Sequence, residues 1–377
     1  MRALPGLSAV FLGCLFGCSP LPVCAQTAAQ PAQPTAAAQA PATSPASTTP
    51  ATDHRISLDV VVTDKAGNPV RGLAEQDFTL LDDKQPRKIT SFQATDGTNR
   101  TADPALQVFF VIDAVNTGAQ GVIFQRTQLN KFLREGDGRL AAPTSLIIFT
   151  DTSTLVQPKP MLDGKALADQ LDANPPGLRV LNRSTGFYGA EERLSLSLRA
   201  LDGVARQTAT QPGRKLLVWL SPGWPILSGP RVILTNKNQE WLFRTIVTFS
   251  QELREARITL YSIDPLGMGD AGGFQTFYYQ TFLKGVPSSK KVQNGNLALQ
   301  VLAAQSGGRV LNSSNDVAKE IASCLEDAKA FYTISFDSPP ADHPDEYHDL
   351  EVKVDKPGLK ARTRTGYYAQ PYATSGR

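Results

Sequence analysis

The sequence predicts a mixed α/β protein: a mostly parallel sheet with helices on both faces, inserted in a β-sandwich built from both chain ends. Three observations carry that prediction. Residues 101–328 alternate short apolar runs with amphipathic stretches of helical period, the pattern of a parallel sheet covered by helices. Residues 53–100 and 329–377 show strands and turns instead. Neither end holds enough strands for a stable two-layer core, so the two are expected to pair.

Residues 1–25 stand apart from the fold. "MRALPGLSAVFLGCLFGCSPLPVCAQ" has Arg2, an apolar stretch from Ala3 to Phe16, and Val23-Cys24-Ala25 before Gln26. A basic start, a short apolar core and small residues at the cleavage point make a secretory signal peptide. The stretch is short of the roughly 20 residues that a membrane span needs. "LFGC" also reads as a bacterial lipoprotein box, with Cys18 taking the lipid. The two readings give a periplasmic or secreted protein, or a lipoprotein of the outer envelope. Residues 26–52 are rich in Ala, Pro and Thr, without charge or aromatics before Asp53. Such a segment cannot bury enough apolar area to offset its ordering entropy, and it reads as a disordered linker.

In the N-terminal part of the sandwich, "ISLDVVVTD" places Ile56, Leu58, Val60 and Val62 on one face of a strand. "DKAGNPV" is a turn, and "FTLLDDKQPRKITSF" reads as a hairpin with Asp82, Asp83 and Lys84 at its tip. In the middle, strand-like runs fall at 106–112, 145–149, 216–220, 258–263 and 309–311. Leu242, Ile246, Phe249, Leu253 and Ala256 share one helical face, and Leu194, Leu198, Leu201 and Val204 another. At the C-terminus, "FYTISFD", "HDLEVKVD" and "LKARTRTGYYA" return to strands. Cleavage after Ala25 leaves Cys324 alone among four cysteines, on a helical apolar face with Val317 and Ile321. It reads as a small buried hydrophobe.

Composition excludes several function classes. The net charge is +3, with Lys and Arg scattered among Asp and Glu, so no nucleic-acid footprint is expected. There is no G-x-S-x-G elbow, H-E-x-x-H, phosphate loop or dinucleotide fingerprint. The histidines are His54, His343 and His348, and nothing places one beside a nucleophile such as Ser221. "HPDEYH" concentrates His343, Asp345, Glu346 and His348, and it reads as an exposed hairpin connection. Open α/β sheets bind ligands at the carboxyl ends of their strands. Asp113, ending "VFFVID", is where that rule looks.

The order of motifs resembles the von Willebrand factor A-related proteins found widely in Acidobacteria. The residues that carry it are "LDVVVTDKAGNPVRGLAEQDFTLLDDKQPRKITSF", "VFFVID", "GRKLLVWLSPG", "ITLYSIDPLGM", "LAAQSGGRVL" and "AKAFYTISF…HDLEVKVDKPGLKARTRTGYYA". The resemblance spans essentially everything after the linker. It implies a Rossmann-like von Willebrand A domain over 101–328, joined to a β-sandwich. It also implies a metal-ion site of the form Asp-x-Ser-x-Ser, completed by a loop Thr and a later Asp. Asp113 matches the first aspartate and Thr117 the second hydroxyl. Val115 replaces the first Ser, Thr185 or Ser184 stands for the loop hydroxyl, and Pro222, beside Ser221, replaces the last Asp. Mg²⁺ demands oxygen ligands in near-octahedral array, so the degenerate set Asp113, Thr117, Thr185 and Ser221 implies weak Mg²⁺ binding at most. Asp113 reads equally as a cap on the following turn.

Residues 271–296 form an insertion dense in Phe274, Phe277, Tyr278, Tyr279 and Phe282, followed by Lys284, Lys290 and Lys291. It reads either as a partner-binding surface, with Phe277, Tyr278 and Tyr279 as anchors, or as a lid packed onto the domain. The sequence therefore leads to an exported, non-enzymatic adhesion or scaffold module without a cofactor, binding a protein or glycan partner at the cell envelope. The competing class is a Mg²⁺-dependent ligand-binding domain using Asp113 and Thr117. A third class, an extracytoplasmic hydrolase, lacks a placed base.

Overall fold

The computed structural model describes residues 54–95, 106–173, 186–227, 234–265 and 278–372. The leader, the linker and Cys18 lie outside the described residues. So do Ser184, Thr185, Phe274 and Phe277.

The chain enters through β1 (Arg55–Thr63), β2 (Phe78–Asp82), β3 (Gln85–Arg87) and β4 (Ser91–Thr95). It then alternates β5 (Gln107–Asp113), α1 (Ala119–Leu133), β6 (Arg139–Phe149), β7 (Thr154–Val156), β8 (Met161–Asp163), α2 (Gly164–Ala173) and α3 (Phe187–Ala209). There follow β9 (Lys215–Leu220), α4 (Asn236–Glu255), β10 (Ile258–Ile263), α5 (Leu299–Gln305), β11 (Val310–Leu311) and α6 (Val317–Glu326). It leaves through β12 (Phe331–Asp337), β13 (Glu346–Val354), β14 (Lys360–Arg362) and β15 (Gly366–Ala369).

The middle segment forms a sheet in the order β11-β10-β9-β5-β6-β7, with β8 also on β6. Its first five strands are parallel, and β7 and β8 run antiparallel at the edge. Both faces are dry. Val111, Leu217 and Trp219 pack under α3, α4 and α5, while Phe110, Ile112 and Val218 pack against α1, α2 and α6. That two-sided burial is why the strands read as continuous apolar runs rather than alternating ones. Cys324 is buried on the second face, where burial pushes its thiol up to about 12.

The chain ends make two further four-stranded sheets, β14-β1-β12-β4 and β15-β13-β2-β3. They share one core containing Val60 and Tyr332 from the first sheet and Leu80 and Val352 from the second. Each sheet mixes strands from both ends of the chain, with Leu58 opposite Ile334 and Leu80 opposite Val352.

Three features depart from the sequence reading. "LKARTRTGYYA" is two strands in different sheets, because the chain crosses the sandwich between Arg362 and Gly366. Gly366 sits so close to Tyr347 and His348 that a Cβ would lie 2.2 Å from the Tyr347 hydroxyl. The hairpin tip is Asp83-Lys84, both with positive φ, whereas Asp82 ends β2 and is wholly buried. "HPDEYH" is only partly a connection, since Glu346 and His348 belong to β13 and His348 is buried. Strand alternation along β13 turns His348 inward where composition alone reads a polar loop.

Candidate functional site

β5 is the central strand of the parallel sheet, so its last residue, Asp113, emerges at the carboxyl edge between the loops after β5 and β9. Its side chain is completely buried. Oδ1 accepts the backbone N–H groups of Val115 at 3.0 Å and Asn116 at 2.9 Å. This is an Asx turn, the local capping geometry open to an aspartate at a strand end. Oδ2 accepts Nδ2 of Asn116 at 2.8 Å and the indole Nε1 of Trp219 at 2.9 Å. A carboxylate offers about four lone-pair sites, and neutral N–H donors engage all of them. Burial pushes the Asp113 carboxyl above the usual carboxylate range, opposed by hydrogen bonds from Asn116, Trp219 and Ser221.

The surroundings are closed in the same way. Asn116 also donates to Ser197 Oγ on α3 at 2.9 Å, which ties the loop after β5 to the helix beside it. Val115 is buried in the apolar cluster under α3 and α4. The Thr117 hydroxyl accepts from Gln125 Nε2 on α1 at 2.9 Å. Ser221 Oγ accepts the N–H of Gly223 at 3.1 Å, and the Pro222 carbonyl accepts from Gln300 Nε2 at 3.1 Å. Gly223 has φ +112, and a Cβ there would lie 2.2 Å from Gln300 Nε2, so "SPGW" needs glycine for both conformation and space. Trp224 packs edge-to-face on Trp219 at 5.3 Å, and Trp219 on Phe149 at 5.9 Å. Thr117, Ser221 and Pro222 thus each have an intramolecular partner, and the Trp219 ring that donates to Asp113 is itself packed between Phe149 and Trp224.

These residues do not fit a hard divalent ion. Mg²⁺ needs free oxygen lone pairs and room for water. Here the one carboxylate is committed to N–H donors, an isopropyl group and a proline stand at two of the positions the resemblance implies as ligands, and the Thr117 hydroxyl already accepts from Gln125. Sequence reasoning missed Trp219, because its indole N–H is invisible inside the uniformly apolar run "LLVWL". The available signal was that a buried tryptophan N–H seeks a partner.

A second cluster lies in the sandwich. His348 Nδ1 is 2.9 Å from Asp82 Oδ1 and 3.3 Å from Asp83 Oδ2. Tyr367 donates its hydroxyl to Asp82 Oδ2 at 3.1 Å, its ring stacks on His348, and Arg87 Nε lies 3.4 Å from the same oxygen. Those spacings match a three-ligand metal set among the described residues. The Arg87 guanidinium already faces the Asp82 charge and the Tyr367 phenol donates to it, so the cluster serves as a cross-strand pin joining β2, β13 and β15 within one sheet. His343 is elsewhere, facing its neighbour's carbonyl, Pro344 O, at 3.0 Å.

The rim of the carboxyl edge carries large exposed apolar side chains. Phe187 and Tyr188 start α3, Trp241 lies in the second turn of α4, and Tyr278 follows β10. Tyr188 is 81% exposed and Trp241 51%. Of the insertion's anchors, Tyr278 is exposed, whereas Tyr279 is half-buried against a cluster of Phe282, Ala298 and Val301. Val286 and Val292 continue inward under α4, so the described part of the insertion packs onto the domain. Lys284, Lys290 and Lys291 stay exposed.

No family profile and no curated relative matches the chain. Among solved structures, an aerotolerance-related membrane protein from Bacteroides fragilis NCTC 9343 is similar at 13% identity and a TM-score of 0.32, over 60% of this chain and 99% of that one. A pilus adhesin from Lactobacillus rhamnosus GG is similar at 9% identity and a TM-score of 0.32, over 80% of this chain. The chain spans 43% of that adhesin. At these scores neither adds to what the chain's own geometry shows. No helix among the described residues is long and apolar enough to cross a membrane.

Proposed function

We propose that this chain is an exported, non-enzymatic adhesion or scaffold module: a von Willebrand A-like domain that binds a protein or glycan partner without a metal ion. The observation that carries the reading is the state of Asp113. The position where an open α/β sheet presents its ligand chemistry is occupied by a carboxylate whose acceptors are engaged by Val115, Asn116 and Trp219. That state argues against both coordination of an ion and proton transfer to a substrate. Binding then falls to the rim. Tyr188 and Trp241 carry large apolar area on side chains with few rotors, the residue types that dominate interface energetics. The Mg²⁺-dependent alternative through Asp113 and Thr117 requires lone pairs that the fold has already committed.

The test is capture from an envelope extract by the immobilised mature chain, with and without chelator. Capture by wild type that is indifferent to chelator and lost in Tyr188→Ser/Trp241→Ser supports the reading, provided the variant keeps its Tm. Capture abolished by chelator, or retained in full by the double variant, overturns it.

A further inference from the structure

Arg364 lies on the short segment that carries the chain from β14 to β15, where the sandwich meets α4 and α5. It is 8% exposed. Among the described residues its guanidinium donates one hydrogen bond, from Nη1 to Ser250 O on α4 at 3.2 Å. A guanidinium has five N–H donors, and no carboxylate of the described residues forms an ion pair with this one. Asp59 is the carboxylate whose charge reaches it, and Asp59 is already held by Arg257 at 2.7 Å and Arg214 at 3.8 Å. Arg254 adds a like charge nearby. Burial, then Arg254, pull the guanidinium down to about 9.

Beside Arg364 is a cavity of about 20 Å³, walled by Ser250, Leu253, Leu302, Gln305 and Tyr347. Its walls are fixed. The Thr365 N–H donates to Gln305 O at 3.2 Å, and the Tyr347 hydroxyl donates to Thr365 O at 3.3 Å. A space of this size takes one water-sized species. It is too small for a sulfate, a phosphate or a carboxylic acid.

We propose that Arg364 and this cavity form a binding site for one small monoatomic anion of the halide class, at the seam between the sandwich and the α/β layers. A buried cation without a counter-charge is costly, and a paired one much less so. A halide supplies the counter-charge without the bulk or the directional lone pairs of an oxyanion. Its position between the Arg364 segment, α4 and α5 makes anion binding strengthen the contact between the two parts of the fold.

The test uses the full mature chain. ³⁵Cl NMR line widths are measured with bromide as competitor. Melting is followed in chloride against gluconate at constant ionic strength. The expected result is excess broadening that bromide displaces, and a Tm that rises with chloride. Both effects are lost in Arg364→Gln and in Leu302→Phe, which fills the cavity while leaving the arginine. Either variant suffices if the other does not fold. A wild type without bromide-displaceable broadening, with equal Tm in the two salts, means water fills the cavity and overturns the proposal. Broadening that persists in a folded variant places the ion elsewhere and overturns it as well.

Discussion

The indole Nε1 of Trp219 donates to Asp113 Oδ2 at 2.9 Å, joining two neighbouring strands at the carboxyl edge of the sheet. Both side chains are buried, and the bond fills the last acceptor site of the carboxylate. In Trp219→Phe the ring stays but the indole donor goes, so Oδ2 loses one of its N–H donors. Leaving a buried acceptor unsatisfied costs about 1–3 kcal/mol. Urea unfolding is expected to show that loss. A double-mutant cycle with Asp113→Asn is expected to show coupling on the order of 1 kcal/mol. Strict additivity would mean that the two residues do not act as a pair.

The fold was legible in the sequence wherever burial leaves a period. The faces of α3 and α4 and the strands of the parallel sheet follow from apolar spacing, because both sheet faces are dry. The crossing at Arg362–Gly366 was not legible, since a strand that changes sheets keeps the same β-rich composition. At the site, Val115 and Pro222 were visible as misfits to the metal pattern. The donors that engage Asp113 were not, because the Trp219 indole N–H comes from 106 residues away and nothing in the sequence marks the neighbouring Asn116 amide as its second side-chain donor. The pairing of Asp82 with His348, 266 residues apart, was hidden for the same reason.

Asp327 gathers the seam between the sandwich and the parallel sheet. Its buried carboxylate accepts from Tyr261 at 2.9 Å, pairs with Arg309 at 3.3 Å and bonds Arg362 of β14. Its carbonyl takes Arg214 at 3.1 Å. Removing one partner of a buried pair leaves the other charges uncompensated, which costs about 3–5 kcal/mol. Asp327→Ala is expected to lose that much in chemical denaturation. Glu351→Ala, which breaks an exposed pair with Lys353, should lose less than about 1 kcal/mol. Equal losses would show that the hub is not special.

His348 links stability to pH. The hydrogen bond to Asp82 raises its pKa above 6.5, opposed by burial and aided by the charges of Asp82, Asp83 and Glu346. Arg87 of β3 and the Tyr367 hydroxyl face the same Asp82. A raised folded-state pKa means the protonated form is favoured in the native protein. Its contribution is therefore complete below pH 6.5 and is lost as pH rises through the folded value. Unfolding free energy measured from pH 6 to 9 is expected to fall with a component that His348→Gln removes. An unchanged slope in the variant would exclude this residue as the source.

Glu320 works in the same sense as His348 and opposite to the usual carboxyl group, whose folded pKa is lowered. It is 7% exposed on α6, and burial, with the charges of Asp264 and Asp316, pushes it up to about 7. The native state thus holds a proton that the unfolded chain releases near pH 4.5, so this group costs stability as pH rises from 4.5 to 7. Glu320→Gln removes the ionisation and is expected to stabilise the protein at pH 8 by roughly 2 kcal/mol, at about 1.4 kcal/mol per pKa unit with allowance for relaxation. At pH 5 the two proteins should differ little. A variant less stable at pH 8 would show that the carboxylate has a partner the substitution breaks.

Mg²⁺ provides the last test, because the donors around Asp113 make a definite claim. A site occupied at a hundredfold excess over its Kd would raise stability by about 2.7 kcal/mol, which thermal melting resolves easily. Wild type is expected to melt at the same temperature in millimolar Mg²⁺ and in chelator. Restoring the oxygen ligands by Val115→Ser and Pro222→Asp should not create a response, because Trp219 still donates to Oδ2 and the Asn116 amide still caps the same atom. Only when Trp219→Phe is added does a lone pair come free. A Mg²⁺ response that appears in this triple variant and not in the double one would locate the block at the indole. A response in wild type that Asp113→Asn abolishes would show instead that the carboxylate is open to the ion.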